Sequence, residues 1–437
     1  MLLYSPYQSP RLDYIVDFIS KEMNLEPIRV TNSVEEFKAF EGARINYSAE
    51  RLDKEIWIKP YKNFLFESGI NQVEVECFNT NDHTAFFRTD GDAGFDILAA
   101  SFYLLSRYEE YLPHSKDEYG RYSHLESIAH KAGFLHQPLV NIWIKNLKEL
   151  IISKWPPAEL QKNDRFTFIP TYDIDIAWSF RHKGLIRNLG GFTRSFFKGN
   201  FAEVSQRIRV LSGKEKDPFD VYDWLNTLHD KHGLKPYYFF LVAERIGKYD
   251  RNISPKNEAL RELIRHHILH YPIGIHPSWR SGDETNLLQR EIKTLTSITG
   301  QEVLSSRQHF IRFTMPETYR RLLHHDILFD FSMGYGTTNG FRASVASPFY
   351  WYDLPNEQQT GLMLFPFCFM DANSFYEQKQ TPAEALAEMR RYFDAVKSVD
   401  STLIMIWHNS FLGTDPLYKG WREVYEEFVS SINKGNM

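Results

Sequence analysis

The sequence predicts an α/β protein in two parts: a smaller N-terminal α/β domain over residues 1–160, then a distorted (β/α)7 barrel over residues 161–437. Three observations predict it. Seven short apolar runs punctuate the C-terminal two-thirds of the chain, with helix-length stretches between them. Four of those runs end in acid, base or imidazole side chains: FTFIPTYDID, PIGIHPSW, SSRQHFIRF and LIMIWHNS. Reactive groups far apart in sequence but repeatedly at strand ends suit a barrel that gathers them at one mouth. Lastly, WPPAELQKND (155–164) is polar with a proline pair, a plausible linker.

In the first part, Ile15 to Met23 reads as an amphipathic helix, and Glu55 to Ile58 and Val73 to Cys77 as strands. FDILAASFYLLSRYEEYL, from Phe95 to Leu112, reads as a helix, apolar before its charged end. His114, His124, His130 and His136 follow without metal-ligand spacing, which fits solvated or structural roles.

In the second part, strands are expected at 166–173, 236–242, 272–277, 307–313, 328–334, 362–369 and 403–408. Helical stretches such as NEALRELIRHHILH and TPAEALAEMRRYFDAVKSV lie between them. Apolar strands alternating with such helices argue for a parallel sheet covered by helices, and seven repeats favour an incomplete barrel over an open sheet. The connection after the first strand runs for about 45 residues, long for such a loop. It is basic, with Arg181, Lys183, Arg187, Arg194, Lys198, Arg207, Arg209, Lys214 and Lys216 against Glu203 and Glu215. A lid, a grip on an anionic glycan or a membrane surface, and a plain helical insertion with a solvated basic face are all open readings.

A length of 437 residues leaves ample room for a large core, and 43% hydrophobic with 24% charged residues is ordinary for a globular protein. The net charge of −5 gives no bulk attraction to nucleic acid. Aromatics, at 15%, are high, which fits either a carbohydrate cleft or bulky core packing. Cys77 and Cys368, both within expected strands, are too few for a disulfide framework. No apolar stretch is long enough for an integral membrane segment. The opening MLLYSPYQSPRLDYIVDF lacks a basic then apolar leader. A cytoplasmic location is therefore expected, with the basic connection allowing a place at the inner membrane's periphery. Nothing in the sequence indicates an oligomeric state.

Asp173 and Asp175 flank Ile174 at a strand end, where alternation would point both carboxylates the same way. Such carboxylates repel unless a cation separates their roles. A divalent ion on Asp175, with Asp173 free as a base, resolves the conflict; helix capping is the plainer alternative. His276 sits in an otherwise apolar strand and suits Zn2+ or another borderline metal, or a structural role. Arg307 can orient an aspartate and hold it ionised, and His309 either completes a metal site or hydrogen-bonds within the barrel. His408 is a candidate general acid or a structural histidine. Asp330, Ser332 and Tyr335 in FDFSMGYG, with Arg342 and Trp351, are candidates for a substrate wall.

These motifs resemble, over about residues 165–437, the polysaccharide deacetylases (NodB homology, carbohydrate esterase family 4). TYDID resembles the first motif, which implies Asp173 as base and Asp175 as metal ligand. GIHPSWRS resembles the second, which carries two histidines four apart; His276 matches one, and Arg280 stands at the other. SRQHF resembles the third, whose arginine contacts the base, with His309 where proline is usual and so a substitute ligand. DFSMGY resembles the fourth, and IWHNS the fifth with His408 as acid. The first part is similar to the poorly characterised domain that precedes such barrels, which implies no chemistry of its own.

The resemblance implies a NodB-type barrel and a metal-dependent hydrolase that removes acetyl groups, N-acetyl first, from a glycan or acetylated amino sugar. The ion implied is Zn2+, with Co2+, Mn2+ or Ni2+ as alternatives. Two rival expectations stand beside it: an amidase for a small C–N substrate on the same scaffold, and an inactive glycan-binding barrel, which Arg280 favours.

Overall fold

The computed structural model describes residues 1–80, 83–156 and 166–434. Residues 157–164 of the expected linker lie outside that range. The first sheet is small and all parallel: β1 (Leu2–Tyr4), β2 (Arg29–Thr31), β3 (Arg44–Asn46) and β4 (Ile56–Trp57), in the order β2-β1-β3-β4. Parallel neighbours need a crossover, and helix Pro10–Met23 supplies the first. Ser9 starts that helix by accepting the Leu12 N–H on its hydroxyl, and Pro10 occupies the first turn, where no N–H is missed. β5 (Phe78–Thr80) and β6 (His83–Ala85) form an antiparallel pair.

The second sheet has nine strands: β7 (Thr167–Ile174), β8 (Tyr237–Phe240), β9 (Ile273–Ile275), β10 (Ser305–Ser306), β11 (Phe329–Asp330), β12 (Phe349–Asp353), β13 (Gln358–Leu364), β14 (Phe369–Met370) and β15 (Thr402–His408). Their order is β12-β13-β11-β10-β9-β8-β7-β15-β14, and every pair but β12–β13 is parallel. Strands covered on both faces read as unbroken apolar runs, as YYFF in β8 and LIMIW in β15 do. No helix among the described residues is long and apolar enough to cross a membrane.

The strand ladder does not close into a ring; it ends at β12 and β14. The segment between those ends explains why. The run expected as one strand at 362–369 is cut by Pro366, which has no N–H for a ladder. Phe365 N–H still bonds Asp330 O on the β11 side, whereas Cys368 N–H reaches Ile404 O in β15, so the chain crosses the gap within four residues.

Three other expectations are corrected. The strand at 307–313 is instead β10 followed by a tight turn, because Phe310 and Ile311 take left-handed φ values of 60° and 53°. Helix Phe95–Leu112 is a helix at Ile97–Leu105 and a 3-10 turn at Tyr108–Tyr111, divided at Arg107, whose φ is 53°. Val73–Cys77 pairs with no described strand despite its alternation, and neither cysteine lies within a strand or in a disulfide.

Register positions the site. His408 pairs with Asp173 across β15 and β7, Phe240 with Ile275, Ile275 with Ser306, and Ser306 with Asp330. The residues just beyond these pairs, Asp175, His276 and Arg307, therefore emerge on one rim. The N-terminal region is packed on the same apolar core as the large sheet. Buried Arg342 forks onto Glu110 at 2.5 and 2.8 Å, and Arg121 donates to the Phe310 carbonyl at 2.6 Å.

Candidate metal centre

Three imidazoles converge on Asp175 at that rim. His276 Nδ1 lies 2.5 Å from the Arg307 carbonyl oxygen, His309 Nδ1 2.9 Å from Asp250 Oδ1, and His408 Nδ1 2.7 Å from Asp371 Oδ1. In the neutral ring an acceptor at Nδ1 holds the proton there and leaves the Nε2 lone pair facing inward, while in the imidazolium Nε2 carries a proton. The inward Nε2 atoms stand 3.1 Å (His276), 3.3 Å (His309) and 3.6 Å (His408) from the Asp175 carboxylate. Lone pairs facing a carboxylate repel unless a cation or a proton intervenes.

Asp175 Oδ1 is buried and receives no aligned hydrogen bond, although His276 is beside it. Two donors about 2.0–2.1 Å from one tetrahedral ion stand about 3.3 Å apart, which the carboxylate–imidazole distances match. Asp175, His276 and His309 thus form a possible metal site, their ligand atoms all within 4.8 Å of one another. An oxygen with two imidazole nitrogens suits a borderline divalent ion such as Zn2+.

Asp173 lies next to this group, its Oδ2 3.8 Å from His276 Nε2. Its other oxygen accepts Arg307 Nη1 at 2.8 Å, while Arg307 Nε donates to the Phe331 carbonyl. The guanidinium is fully buried and stacks on Phe239 at 4.4 Å, so it holds the aspartate from below the rim. Asp175 and His408 keep 28% and 14% side-chain exposure, which makes them the open side of the group.

The charges are strongly coupled. Burial opposes the Asp175 carboxylate, but His309 and His276 outweigh it and hold its pKa well below the usual range. For His309, burial disfavours the imidazolium, yet Asp175 and Asp250 lift its pKa to about 9. Burial also acts against charged His408, and Asp371 foremost raises its pKa to about 10.

Asp173, Asp175, His276, Arg307, His309 and His408 are therefore brought together. His309 arrives on the tight turn after β10 rather than on a strand. Arg280 turns outward, 57% exposed, and pairs with Glu284 at 2.9 Å. The residues expected as a substrate wall, Asp330, Ser332, Tyr335, Arg342 and Trp351, are all buried. Asp330 accepts from the Ser306 and Ser332 hydroxyls, Arg342 holds Glu110 beside Tyr335, and Trp351 packs edge-on against Tyr319.

Sequence reasoning missed Asp250 and Asp371, the acceptors behind His309 and His408. Asp371 follows β14 as His408 ends β15, so the strand-end rule would have marked it. Asp250, in a loop, gives no such signal. Also missed is an aromatic wall beside His309, where Tyr249 stacks on Trp279 at 4.0 Å and Phe310 meets both edge-on. Tyr119, from the N-terminal region, joins it. A cavity of about 980 Å3 lies elsewhere, between helices Pro10–Met23 and Leu139–Lys154 and residues 347–350, far from this chemistry.

Residues 1–156 match the model of a family of unknown function (DUF7033). No curated protein matches the chain. Similar solved structures include a protein assigned as a polysaccharide deacetylase from Mycobacterium smegmatis, at 15% identity and TM-score 0.40, with 63% of this chain and 86% of that one covered. A second, assigned likewise, from Pseudomonas aeruginosa, has 12% identity and TM-score 0.39, with 62% and 85% covered. A CE4 family pseudoenzyme from Bacillus anthracis has 9% identity and TM-score 0.33, with 62% and 61% covered.

Proposed function

We propose that this protein is a metal-dependent hydrolase that removes acetyl groups, N-acetyl first, from a glycan or an acetylated amino sugar. The observation that carries the reading is the convergence of three Nδ1-anchored imidazoles on one half-buried carboxylate, beside a second carboxylate clamped by an arginine. The acetylated substrate comes from the motif resemblance over the second part of the chain.

Asp175, His276 and His309 would hold the ion. A divalent ion there supplies Lewis-acid chemistry, polarising a carbonyl and lowering the pKa of water. Asp173 takes the proton from the attacking water, since Arg307 occupies only one of its oxygens. Arg307 keeps that carboxylate oriented. His408, held protonated by Asp371, gives its proton to the departing nitrogen. The test is acetate release from chito-oligosaccharides by Zn2+-loaded protein and by its Asp173→Asn variant. Release by the parent alone supports the reading, and no release by either sinks it. Ammonia or amine release from small amides instead would mark the amidase.

One observation favours a second reading. With His309 lifted to about 9, protonated imidazoles can satisfy Asp175 without any metal, as a glycan-binding module would require. Metal analysis of the purified protein separates the two, because such a module carries no stoichiometric ion.

A further inference from the structure

The connection after β7 folds as a hairpin of two helices, Gly184–Phe197 and Phe201–Leu211, built against the usual rule for a surface helix. The first helix turns its small and polar side inward. Ser195 is buried, Asn188 accepts from Arg207 of the second helix, and Gly191 lies so close to Arg207 that a Cβ would stand 2.6 Å from its guanidinium. The apolar side faces water, with Leu185 85%, Ile186 87%, Phe197 85% and Phe201 62% exposed. Phe196 meets both Phe197 and Phe201 edge-on, so three exposed rings crown the tip beside Lys198.

The charge around this apolar face has one sign. Nine basic residues stand against two acidic ones over residues 181–216, in a chain whose net charge is −5. Glu203 and Glu215 are each taken up by an arginine, Arg207 and Arg209. Arg181, Arg194, Lys198 and Lys214 have no acidic partner among the described residues. At its base the hairpin is fixed rather than loose. The Asp217 carboxylate accepts the N–H groups of Ser179, Phe180 and Arg181 at 2.7–2.9 Å, and Arg187 donates to the carbonyls of Arg251 and Asn252. That base adjoins Asp250, so the hairpin stands at the rim where the metal-site group opens.

We propose that this hairpin docks the protein on an anionic lipid surface. An exposed apolar stripe with aromatic tip residues and flanking cations is the composition that lies in a bilayer interface, the apolar face entering the headgroup boundary and the cations meeting anionic lipids. A second copy of the chain is the poorer occupant, because a two-fold contact would set the same unneutralised cations against each other.

The experiment is co-sedimentation of the full chain with vesicles of phosphatidylcholine and of an equimolar phosphatidylcholine–phosphatidylglycerol mixture. The intact protein binds the anionic vesicles and is released by salt. Phe196→Ser, Phe197→Ser and Phe201→Ser combined, at exposed positions outside the metal-site group, lower binding by about tenfold or more while the thermal melt is kept. Arg194→Glu with Lys198→Glu removes the preference for the anionic vesicles. Three results overturn the proposal: no binding to either vesicle, equal binding by the parent and the triple-Ser variant, or a dimer of the parent that the triple-Ser variant loses. None of these results bears on the hydrolase reading, which does not involve the hairpin.

Discussion

His276 Nε2 stands 3.1 Å from Asp175 Oδ1 while its Nδ1 is committed to the Arg307 carbonyl. That pairing joins the ends of β7, β9 and β10 and leaves a lone pair facing a carboxylate oxygen. The arrangement is that of a possible metal site, and the proposed function gives different roles to two aspartates only two residues apart.

The division is testable at Asp173. Asp173→Asn leaves the ligands in place and can still accept from Arg307, so zinc content stays at the parent value. Loss of the proton acceptor lowers turnover by about 10^2–10^4-fold. Zinc analysis beside acetate-release kinetics checks both halves, and loss of metal in this variant would falsify the division of labour between Asp173 and Asp175.

Asp250 acts through His309. Its carboxylate holds the ring's Nδ1–H and also accepts the Trp279 N–H at 2.9 Å. Asp250→Ala should weaken zinc affinity by about 10–100-fold, and His309→Ala by more. Competition with a chromophoric chelator measures both. Unchanged affinity in His309→Ala removes it from the ligand set.

The pair His408–Asp371 sets a pH dependence. His408 has its pKa raised to about 10 in the folded protein, against about 6.5 unfolded. The folded state therefore binds this proton more tightly. The stability it contributes is complete below about pH 6.5 and is lost as the pH rises through about 10. Melting temperatures of metal-free protein should fall over that window. Asp371→Asn removes the main carboxylate and lets burial dominate, which flattens the fall and moves the alkaline limb of activity to lower pH. A profile identical to the parent's contradicts the pairing.

Arg342 and Glu110 tie the N-terminal region to the large sheet, both buried, with Glu110 pulled down to about 2 by Arg342 and Arg107 against the cost of its burial. Arg342→Met leaves the buried Glu110 carboxylate on Arg107 alone, 2.7 Å away, and should cost about 3 kcal/mol in urea unfolding. Arg342→Met with Glu110→Leu should recover most of it. A loss below about 1 kcal/mol in the single variant means the pair does not clamp the two regions.

Parallel strands put their ends on one rim, so side chains at strand ends were legible as a group from sequence: Asp173, Asp175, His276, Arg307 and His408. His309 was legible only as a candidate, because nothing in SRQHF announces two successive left-handed residues. Asp371 carried the same strand-end signal, directly after β14, whereas Asp250 was not legible, since a loop acceptor behind a histidine is chosen by how the loop closes. The inward packing of Asp330 and Arg342 was not legible for a related reason. A polar residue near a strand end looks the same in sequence whether it faces substrate or, as here, meets Ser306 or Glu110 inside. Pro366 was visible all along, and its missing N–H is what splits the apolar run at 362–369.

Anomalous diffraction at the zinc edge from crystals of zinc-loaded protein tests the central claim most directly. One full-occupancy peak is expected, about 2.0–2.2 Å from Asp175, His276 Nε2 and His309 Nε2. A peak bound elsewhere, or none at saturating zinc, would contradict it.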